Sequence, residues 1–317
     1  MKEKIAVLMG GRSLEREVSL KSGRRVSAAL KDKGYPIIQL DINENLVDAL
    51  NEEKPDMVYI ALHGKYGEDG TIQELLEIMN IPYTGPGVYA SIVGFDKALS
   101  KEIFQLANIP TAPSFSLSAG AFKEMGASGA LGKVIKKLGL PLIIKPARQG
   151  SALGIKYIEK PGGLAEALIG ALSYDNKVII EKYIKGKEVA VSILEESGEP
   201  RALPIVEIVP KKEFFDFESM YTMGETDYFV PARFSDKQTT EIQNLAIRVH
   251  QTLRCRDVSR IDMIIDEDNQ PRVLELNTGP GMTETSLLPM AAEAADIDFA
   301  NLVEKLAQMA LGRKMKV

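Results

Sequence analysis

The sequence contains one cysteine, no apolar run long enough to cross a bilayer and no excess of basic residues. Cys255 alone cannot form a disulfide within the chain, and we interpret it as a buried apolar side chain. A membrane-spanning helix needs roughly 20 apolar residues, whereas the apolar run at residues 5–9 is short and leads into charged residues, which favours a first strand over a signal peptide. A net charge of −5 without a basic stripe provides no surface for nucleic acid. We therefore expect a cytoplasmic protein that binds neither membranes nor nucleic acid.

The first third of the chain alternates predicted strands and helices. Hydrophobic residues make up 45% and charged residues 26% of the 317 positions, which fits a globular protein of more than one domain. Apolar runs predict strands at residues 5–9, 36–40 and 57–62 and helices at residues 15–33 and 70–79. This order is typical of a parallel, Rossmann-like α/β sheet, in which ligands bind at the carboxyl ends of the strands.

Two further regions have different patterns. The middle region has a helix at its start, four short strands, a Gly/Ala-rich helix that ends at residue 137, and a glycine-containing loop at residues 147–154. In the last region, residues 209–230 show little periodicity and many aromatic side chains, and a loop of this length is usually a functional lid. We expect an α/β protein with three domains, a parallel α/β domain and two α+β domains, at residues 1–96, 97–186 and 187–317.

A β-hairpin is predicted at residues 259–277, with its polar groups on one face. Because side chains alternate between the two faces of a strand, Arg260 and Asp262 share a face, and so do Glu275 and Asn277. The opposite face is apolar and carries Ile261, Met263, Ile265, Leu274 and Leu276. A four-residue turn at residues 267–270 predicts three direct cross-strand pairs, which are Asp266 with Pro271, Asp262 with Glu275, and Arg260 with Asn277.

This polar face has two interpretations. Two carboxylates and an amide oxygen are hard ligands of the kind that Mg²⁺ prefers, although such a set is weakly selective by itself. The alternative is a solvated face on which Arg260 pairs with its neighbours, which is common in antiparallel sheets. The chain after the hairpin favours a ligand site, because Ser286 is a good N-cap for a helix through residue 295, and a helix N-terminus can bind a carboxylate or phosphate.

Six motifs, from GGRSLEREVSLKSG at residues 10–23 to LELNTGPGMTETSL at residues 274–287, resemble in their order those of the D-alanine–D-alanine ligases of the ATP-grasp superfamily, and the resemblance covers nearly the whole sequence. One glycine-rich loop would be weak evidence, whereas six motifs in one order are specific. The motifs are GGRSLEREVSLKSG at residues 10–23, HGKYGEDGTIQ at 63–73, YTGPGVYASIVGFDK at 83–97, IKPARQGSALGI at 144–155, FFDFESMY at 214–221 and LELNTGPGMTETSL at 274–287.

The resemblance implies a three-domain ATP-grasp architecture in which two α+β domains clamp ATP. It also implies that the protein joins two D-alanines for peptidoglycan synthesis, with an acyl phosphate as intermediate, two Mg²⁺ ions (or Mn²⁺) and a homodimeric assembly. The residues that it implies for the metal are Asp262, Glu275 and Asn277. The residues that it implies for the nucleotide are Lys97, Lys145, Gly150, Ser151, Glu181, Lys182, Tyr183, Ile184, Glu188 and Asn277.

The resemblance also implies roles at the substrate end. Glu15 matches the residue that holds the ammonium group of the first alanine, and Arg260 matches the donor to the oxyanion. The residues implied for substrate binding are Glu15, His63, Arg260, Gly281, Ser286 and Leu287, and those implied for catalysis are Glu15, Ser151, Tyr221 and Arg260. Taken singly, Lys97 and Lys145 fit surface lysines and Glu15 fits a helix terminus; taken in order, all fit the ligase pattern.

The sequence departs from the family pattern at the predicted lid. Met220 stands where relatives carry a lysine that reaches the ATP phosphates, and a methionine cannot neutralise phosphate charge. Ala152 replaces a second serine of the glycine-containing loop, Glu74 replaces a common glycine, and Glu284-Thr285 lies in a variable stretch. Three hypotheses therefore stand: a D-alanine–D-alanine ligase, a related ligase with another acceptor, and a nucleotide-binding homologue with weak catalysis.

Overall fold

The computed structural model describes residues 2–211 and 226–313, whose strands form three sheets. Most of the predicted lid, including Met220 and Tyr221, lies outside the described residues. Within the described ranges, no helix has the length and apolar character needed to cross a membrane.

The first sheet is parallel, as the sequence predicts, and its strand order is β2-β1-β3. β1 is buried along its whole length, as its unbroken apolar run indicates. The sequence pattern does not predict α2 and α4, because α2 buries only Leu46 and Leu50 and α4 is apolar nearly all round. The elements are β1 (Ile5–Met9), α1 (Arg16–Asp32), β2 (Ile37–Asp41), α2 (Leu46–Glu53), β3 (Met57–Ile60), α3 (Thr71–Ile78) and α4 (Val88–Phe95).

The second sheet is antiparallel with the order β4-β7-β5-β6. The Gly/Ala-rich helix predicted up to residue 137 is instead divided into α6, a 3₁₀ turn and α7, because Gly126 takes a positive φ of 64° between them. The elements are α5 (Lys97–Leu106), β4 (Ser114–Ser118), α6 (Ala119–Lys123), α7 (Leu131–Leu138), β5 (Leu142–Pro146), β6 (Lys156–Ile158), α8 (Leu164–Leu172) and β7 (Lys177–Lys182).

The third sheet is also antiparallel, with the order β11-β10-β8-β12-β13 and β9 paired with β8. The long strand β8 lies beside β12, so the predicted hairpin is supported on one side by an inner strand of the sheet. The elements are β8 (Gly186–Glu196), β9 (Glu199–Ala202), β10 (Val206–Pro210), β11 (Thr226–Phe229), α9 (Asp236–Thr252), β12 (Val258–Asp266), β13 (Pro271–Asn277), α10 (Leu287–Glu293) and α11 (Phe299–Leu311).

The hairpin has the predicted pairs at its functional end and a different register at its turn. Asp262 pairs with Glu275 and Arg260 with Asn277, as predicted. The predicted pair of Asp266 with Pro271 is wrong, because Ile265 occupies that position. A bulge between Val273 and Glu275 absorbs the one-residue difference.

The bulge also changes the direction of one side chain. Leu274 is the extra residue, and it faces the same cleft as Glu275. Its predicted place on the apolar face is therefore wrong, whereas Leu276, Ile261 and Met263 are buried there as expected. The bulge thus adds an apolar side chain to the polar face without displacing the carboxylates.

The end of the chain returns to the first sheet. Leu302 and Leu306 of α11 are buried in one apolar cluster with Val7 of β1 and Val26 of α1. The same cluster includes Ala190 of β8, so it joins the first and third sheets. The packing holds the loops after β1 and β3 against the hairpin. The domain bounds at residues 96 and 186 stay predictions.

Replacing Phe104 by alanine is expected to lower the free energy of unfolding by about 3–5 kcal/mol, because the ring is fully buried in the cluster that also packs against β13. Chemical denaturation measures the change. Leu106→Ala in the same helix is the matched control, since its side chain is 84% exposed and should change stability by less than about 0.5 kcal/mol. Equal losses for both variants would contradict the packing described for α5.

Candidate active site in the cleft between the sheets

Two adjoining cavities lie where the loops of the first sheet meet the second and third sheets. The inner cavity has a volume of about 180 Å³ and the outer cavity a volume of about 410 Å³. They share five lining side chains and therefore form one cleft; these are Lys145, Ile155, Glu188, Ile208 and Leu274.

The cleft brings together every predicted site residue that lies in the described part of the chain. Tyr221 falls outside that part. The outer cavity is lined by Lys145, Glu181, Lys182, Tyr183, Ile184 and Glu188. The inner cavity is lined by Glu15, His63, Lys97, Lys145, Gly150, Ser151, Glu188, Arg260, Asp262, Glu275, Asn277, Gly281, Ser286 and Leu287.

Glu181, on β7 at the wall of the outer cavity, is an ionised carboxylate held between two lysines. Nζ of Lys145 lies 2.7 Å from one of its oxygens, and Nζ of Lys101 lies 2.9 Å from the other. Burial by itself would raise the pKa of Glu181, but the two ammonium groups lower it to about 2. Glu181 is therefore an ionised hydrogen-bond acceptor beside Lys145, and Lys145 lines both cavities.

The glycine-containing loop is tied to the start of α5. Nζ of Lys97 donates a hydrogen bond of 2.8 Å to the carbonyl oxygen of Gln149. Ser151 and Ala152 adopt positive φ values of 53° and 56°, which cost energy for residues other than glycine and concentrate at ligand sites. The loop backbone is thus held in a specific shape beside two lysines.

Three carboxylates from three strands converge on the cleft. Glu188 comes from β8, Asp262 from β12 and Glu275 from β13. Burial, and then the charges of Asp262 and Glu275, raise the pKa of Glu188 to about 8. Such crowding of like charges is relieved by a cation.

Asp262, Glu275 and Asn277 fit a divalent cation that also binds a phosphate-bearing ligand. Their oxygens are hard donors, and Mg²⁺ usually takes one or two carboxylates and completes its shell with phosphates and water. No group of three or more acidic, histidine or cysteine side chains is arranged as a complete metal site within the described ranges.

The polar face of the hairpin is partly enclosed and is not simply solvated. Nε and Nη2 of Arg260 each donate a 2.7 Å hydrogen bond to Asp262, and both side chains are 15% exposed. Lys97 lies 3.4 Å from Glu275. Burial would raise the pKa of Glu275, but Lys97, followed by Lys145 and Arg260, lowers it.

Glu15 lies at the substrate end, where the end of β1 leads into α1. One carboxylate oxygen accepts a hydrogen bond from the Ser151 hydroxyl, which joins the first loop to the glycine-containing loop. The other oxygen has no hydrogen-bond partner among the residues that the structure describes. A Cβ at Gly150 would lie 2.8 Å from it, so a side chain there would displace the carboxylate.

The electrostatic setting of Glu15 favours a bound cation. Burial, and then the charge of Glu68, raise the pKa of Glu15. A buried carboxylate with one unoccupied acceptor gains most from a ligand that carries a positive charge and N–H donors. An ammonium group has both properties.

His63 is fixed by contacts on both ring nitrogens. Nε2 lies 3.0 Å from the Ser22 hydroxyl, and Nδ1 lies 3.4 Å from Glu68. The same hydroxyl accepts a 3.3 Å hydrogen bond from the backbone N–H of Met282, in the loop that leads to Ser286. The Ser22 hydroxyl thus links His63 to the loop that leads to Ser286.

Ser286 precedes α10 as predicted, but it does not cap the helix through its side chain. Its hydroxyl accepts a 3.0 Å hydrogen bond from the backbone N–H of Thr283 and lies 2.8 Å from the Thr283 hydroxyl. The helix ends at Glu293, two residues before the predicted end. The first backbone N–H groups of α10 therefore lie beside the cavity without a side-chain cap.

Four residues of the site were missed by the motif pattern. Lys101 could have been found from its spacing, because it lies one helical turn after Lys97 on the same face of α5. Ser22 and Glu68 lie inside quoted motifs, yet their contacts with His63 join distant segments. Leu274 reaches the cleft only through the bulge, which no pattern of alternation predicts.

The arrangement of a cleft between two antiparallel sheets, with lysines on one wall and carboxylates on the other, defines the ATP-grasp class of ligases. Comparisons with known proteins narrow the class. Residues 46–86 match the family model D-ala D-ala ligase N-terminus, and residues 103–308 match D-ala D-ala ligase C-terminus. The chain therefore belongs to the D-alanine–D-alanine ligase family.

Relatives that align over nearly their full length are named as ligases of the same family. The D-alanine–D-alanine ligase of Pelotomaculum thermopropionicum is 44% identical, with 97% of this chain and 96% of that protein covered. That of Moorella thermoacetica is 43% identical, with 97% and 99% covered.

Solved structures agree with the fold. The crystal structure of the D-alanine–D-alanine ligase from Bacillus anthracis superposes with a TM-score of 0.83 at 34% identity and covers 98% of both chains. The structure of the same enzyme complexed with ATP gives the same TM-score and identity. The resemblance seen in the motifs is confirmed, and so is the ATP-grasp fold class.

Replacing Glu188 by glutamine is expected to stabilise the ligand-free protein at alkaline pH. The carboxyl has an ordinary pKa of 4.5 and a folded pKa of about 8. Because the folded protein holds this proton more tightly than the unfolded chain does, the resulting stabilisation is fully present below about pH 4.5. It is lost as the pH rises through 8. Allowing for partial exposure, the variant should gain ~2 kcal/mol over the wild type at pH 9, and this gain should vanish near pH 4.

Urea denaturation at several pH values measures the gain of Glu188→Gln. Glu199→Gln on β9 is the matched control, because Glu199 is exposed and lies outside the cleft. A gain that does not depend on pH would contradict the raised pKa of Glu188.

Proposed function

We propose that the protein joins two molecules of D-alanine at the expense of ATP and forms D-alanyl-D-alanine for peptidoglycan synthesis. The observation that carries the proposal is the single cleft, which collects all of the described residues that the family resemblance assigns to nucleotide, metal and substrates. Family membership over nearly the whole chain supports the same activity.

The outer cavity is proposed to hold the nucleoside of ATP. Residues 181–184, at the end of β7 and just after it, line this cavity and are proposed to bind the adenine, and Glu188 is proposed to bind a ribose hydroxyl. Lys97, Lys145 and the loop at Gly150 and Ser151 are proposed to bind the phosphates, because ammonium and backbone N–H groups stabilise phosphate charge.

Two Mg²⁺ ions are proposed to accompany ATP, held by Asp262, Glu275 and Asn277, with Mn²⁺ as a possible substitute. When bound, such ions neutralise charge that develops on the transferred phosphoryl group. Arg260, which is hydrogen-bonded to Asp262, lies at the border of this metal site and the substrate site.

The inner cavity is proposed to hold both alanines. Glu15 binds the ammonium group of the first alanine through its unoccupied oxygen, and His63 lies near the carboxylate of that alanine. Gly281, Ser286 and Leu287 bind the carboxylate of the second alanine. Because the first backbone N–H groups of α10 receive no side-chain cap from the residues that the structure describes, this end of the helix suits an anionic group.

The reaction is proposed to proceed in two steps. The carboxylate of the first alanine attacks the γ-phosphate of ATP, which forms an acyl phosphate and releases ADP. The amine of the second alanine then attacks the acyl carbon, and phosphate leaves as the amide forms. Arg260 donates hydrogen bonds to the oxygen that becomes negative in the tetrahedral intermediate. Glu15, Ser151 and Tyr221 are proposed to hold the lid closed, which keeps water from the acyl phosphate.

Product identification tests the activity. We expect phosphate release from ATP that requires both Mg²⁺ and D-alanine, with D-alanyl-D-alanine as the product in mass spectra. Absence of turnover at saturating D-alanine, Mg²⁺ and ATP would contradict the proposal. Turnover only with another D-amino acid or with D-lactate would identify a related ligase, and nucleotide binding without turnover would identify an inactive homologue.

A cytoplasmic location is also proposed, from the single cysteine and the short apolar runs of the sequence, and a homodimeric assembly is proposed from the resemblance. Sedimentation of the purified protein measures its assembly state.

Restoring the family lysine by Met220→Lys is expected to lower the KM for ATP about tenfold, because a hydrogen bond between charged groups contributes about 1.5–3 kcal/mol. Initial-rate kinetics measure the change. Met223→Lys is the control, since it adds the same charge three residues away in the predicted lid. An equal effect of the two variants would show that the position of the lysine is unimportant.

A further inference from the structure

Lys101 is an almost fully enclosed lysine that lies one turn after Lys97 on α5. Its side chain is 2% exposed and belongs to neither cavity lining. Nζ lies 2.9 Å from Glu181 and donates a 2.7 Å hydrogen bond to the Thr111 hydroxyl. Burial of the ammonium group lowers the pKa of Lys101, and Glu181 opposes that shift. An ion at this depth costs several kcal/mol unless it is paired.

The position of Lys101 determines the net charge at the nucleotide wall. Glu181 has one carboxylate charge and lies within 3 Å of two ammonium groups, those of Lys101 and Lys145. The triad therefore has a net charge of +1, and Lys145 is its member on the inner cavity wall. Without Lys101, the charge of Lys145 would be cancelled by Glu181, and this pair would offer no net positive charge to phosphate.

Lys101 is also linked to the strand that carries Glu275. The Thr111 hydroxyl donates a 2.7 Å hydrogen bond to the carbonyl oxygen of Val273. The backbone N–H of Val273 donates a second bond, of 2.8 Å, to the carbonyl of Pro110. Val273 directly precedes the bulge, so the chain from Glu181 through Lys101 and Thr111 ends two residues before Glu275.

We propose that Lys101 is a positioning residue for nucleotide binding, which acts by neutralising Glu181 so that Lys145 retains its charge for the phosphates. The hydrogen bond to the Thr111 hydroxyl holds the Lys101 ammonium group beside Glu181. The inference rests on the proposed function, because it takes the ligand of the outer cavity to be a nucleotide.

A purely structural ion pair would behave differently from a positioning residue. It would change the stability of the fold and leave the affinity for nucleotide unchanged. The positioning role instead predicts weaker binding of Mg²⁺ with a non-hydrolysable ATP analogue, together with an unchanged KM for D-alanine.

The experiment compares Lys101→Met with the wild type by calorimetric titration of Mg²⁺ and the analogue into the full chain. We expect Kd to rise at least tenfold. Lys136→Met on α7 is the matched control, because that lysine is exposed and lies outside the cleft, and its Kd should stay within twofold. A folded Lys101→Met variant with the wild-type Kd would overturn the proposal.

A second experiment compares Glu181→Gln with the double variant Glu181→Gln/Lys101→Met. It tests the charge argument even if the single variant Lys101→Met does not fold. In Glu181→Gln the carboxylate is absent, so Lys101 has nothing to neutralise. Adding Lys101→Met to that variant should change Kd by less than threefold, because Lys145 keeps its charge in both proteins. A further tenfold loss would overturn the proposal. Since binding of the analogue requires no turnover, a wild type that binds it but forms no dipeptide contradicts the proposed function alone.

Discussion

Two carboxylates that face each other across adjacent strands determine the electrostatics of the cleft. Asp262 and Glu275 are direct neighbours on β12 and β13, so their charges repel unless cations lie close by. The surrounding residues meet this requirement, since Arg260 binds Asp262 and Lys97 lies beside Glu275. Burial, and then the charges of Asp262 and Glu275, raise the pKa of the neighbouring Glu188 to about 8. A cation bound between these carboxylates would relieve the repulsion.

The scaffold holds this charged pair at a junction of three sheets. The apolar face of the hairpin is buried in a cluster with α9 and β8, which leaves the polar face directed into the cleft. The C-terminal helix packs on the first sheet and brings the loops that carry Glu15 and His63 to the same place. The second sheet closes the other side with Lys145 and Glu181. The side chains of the cleft therefore come both from strands, as Asp262 and Glu188 do, and from loops, as His63 and Ser151 do.

Much of the site could be predicted because its motifs combine chemistry with local geometry. Strand alternation is a local property, and it correctly placed Arg260, Asp262, Glu275 and Asn277 on one face. The same rule failed at Leu274, because a bulge depends on how the turn and the inner strand compete for register. The capping rule placed Ser286 at the start of α10, but a nearby hydroxyl and N–H of Thr283 hold its side chain instead.

The sequence by itself determined the parallel sheet of the first domain, the polar face of the hairpin and the family, because these follow from periodicity and from the order of motifs. Only the tertiary structure decided which charges meet. Lys101 pairs with Glu181, 80 positions later, and its hydroxyl partner Thr111 reaches Val273 across 162 positions. Such contacts depend on how separate sheets pack, and burial then strengthens them because water no longer screens the charges.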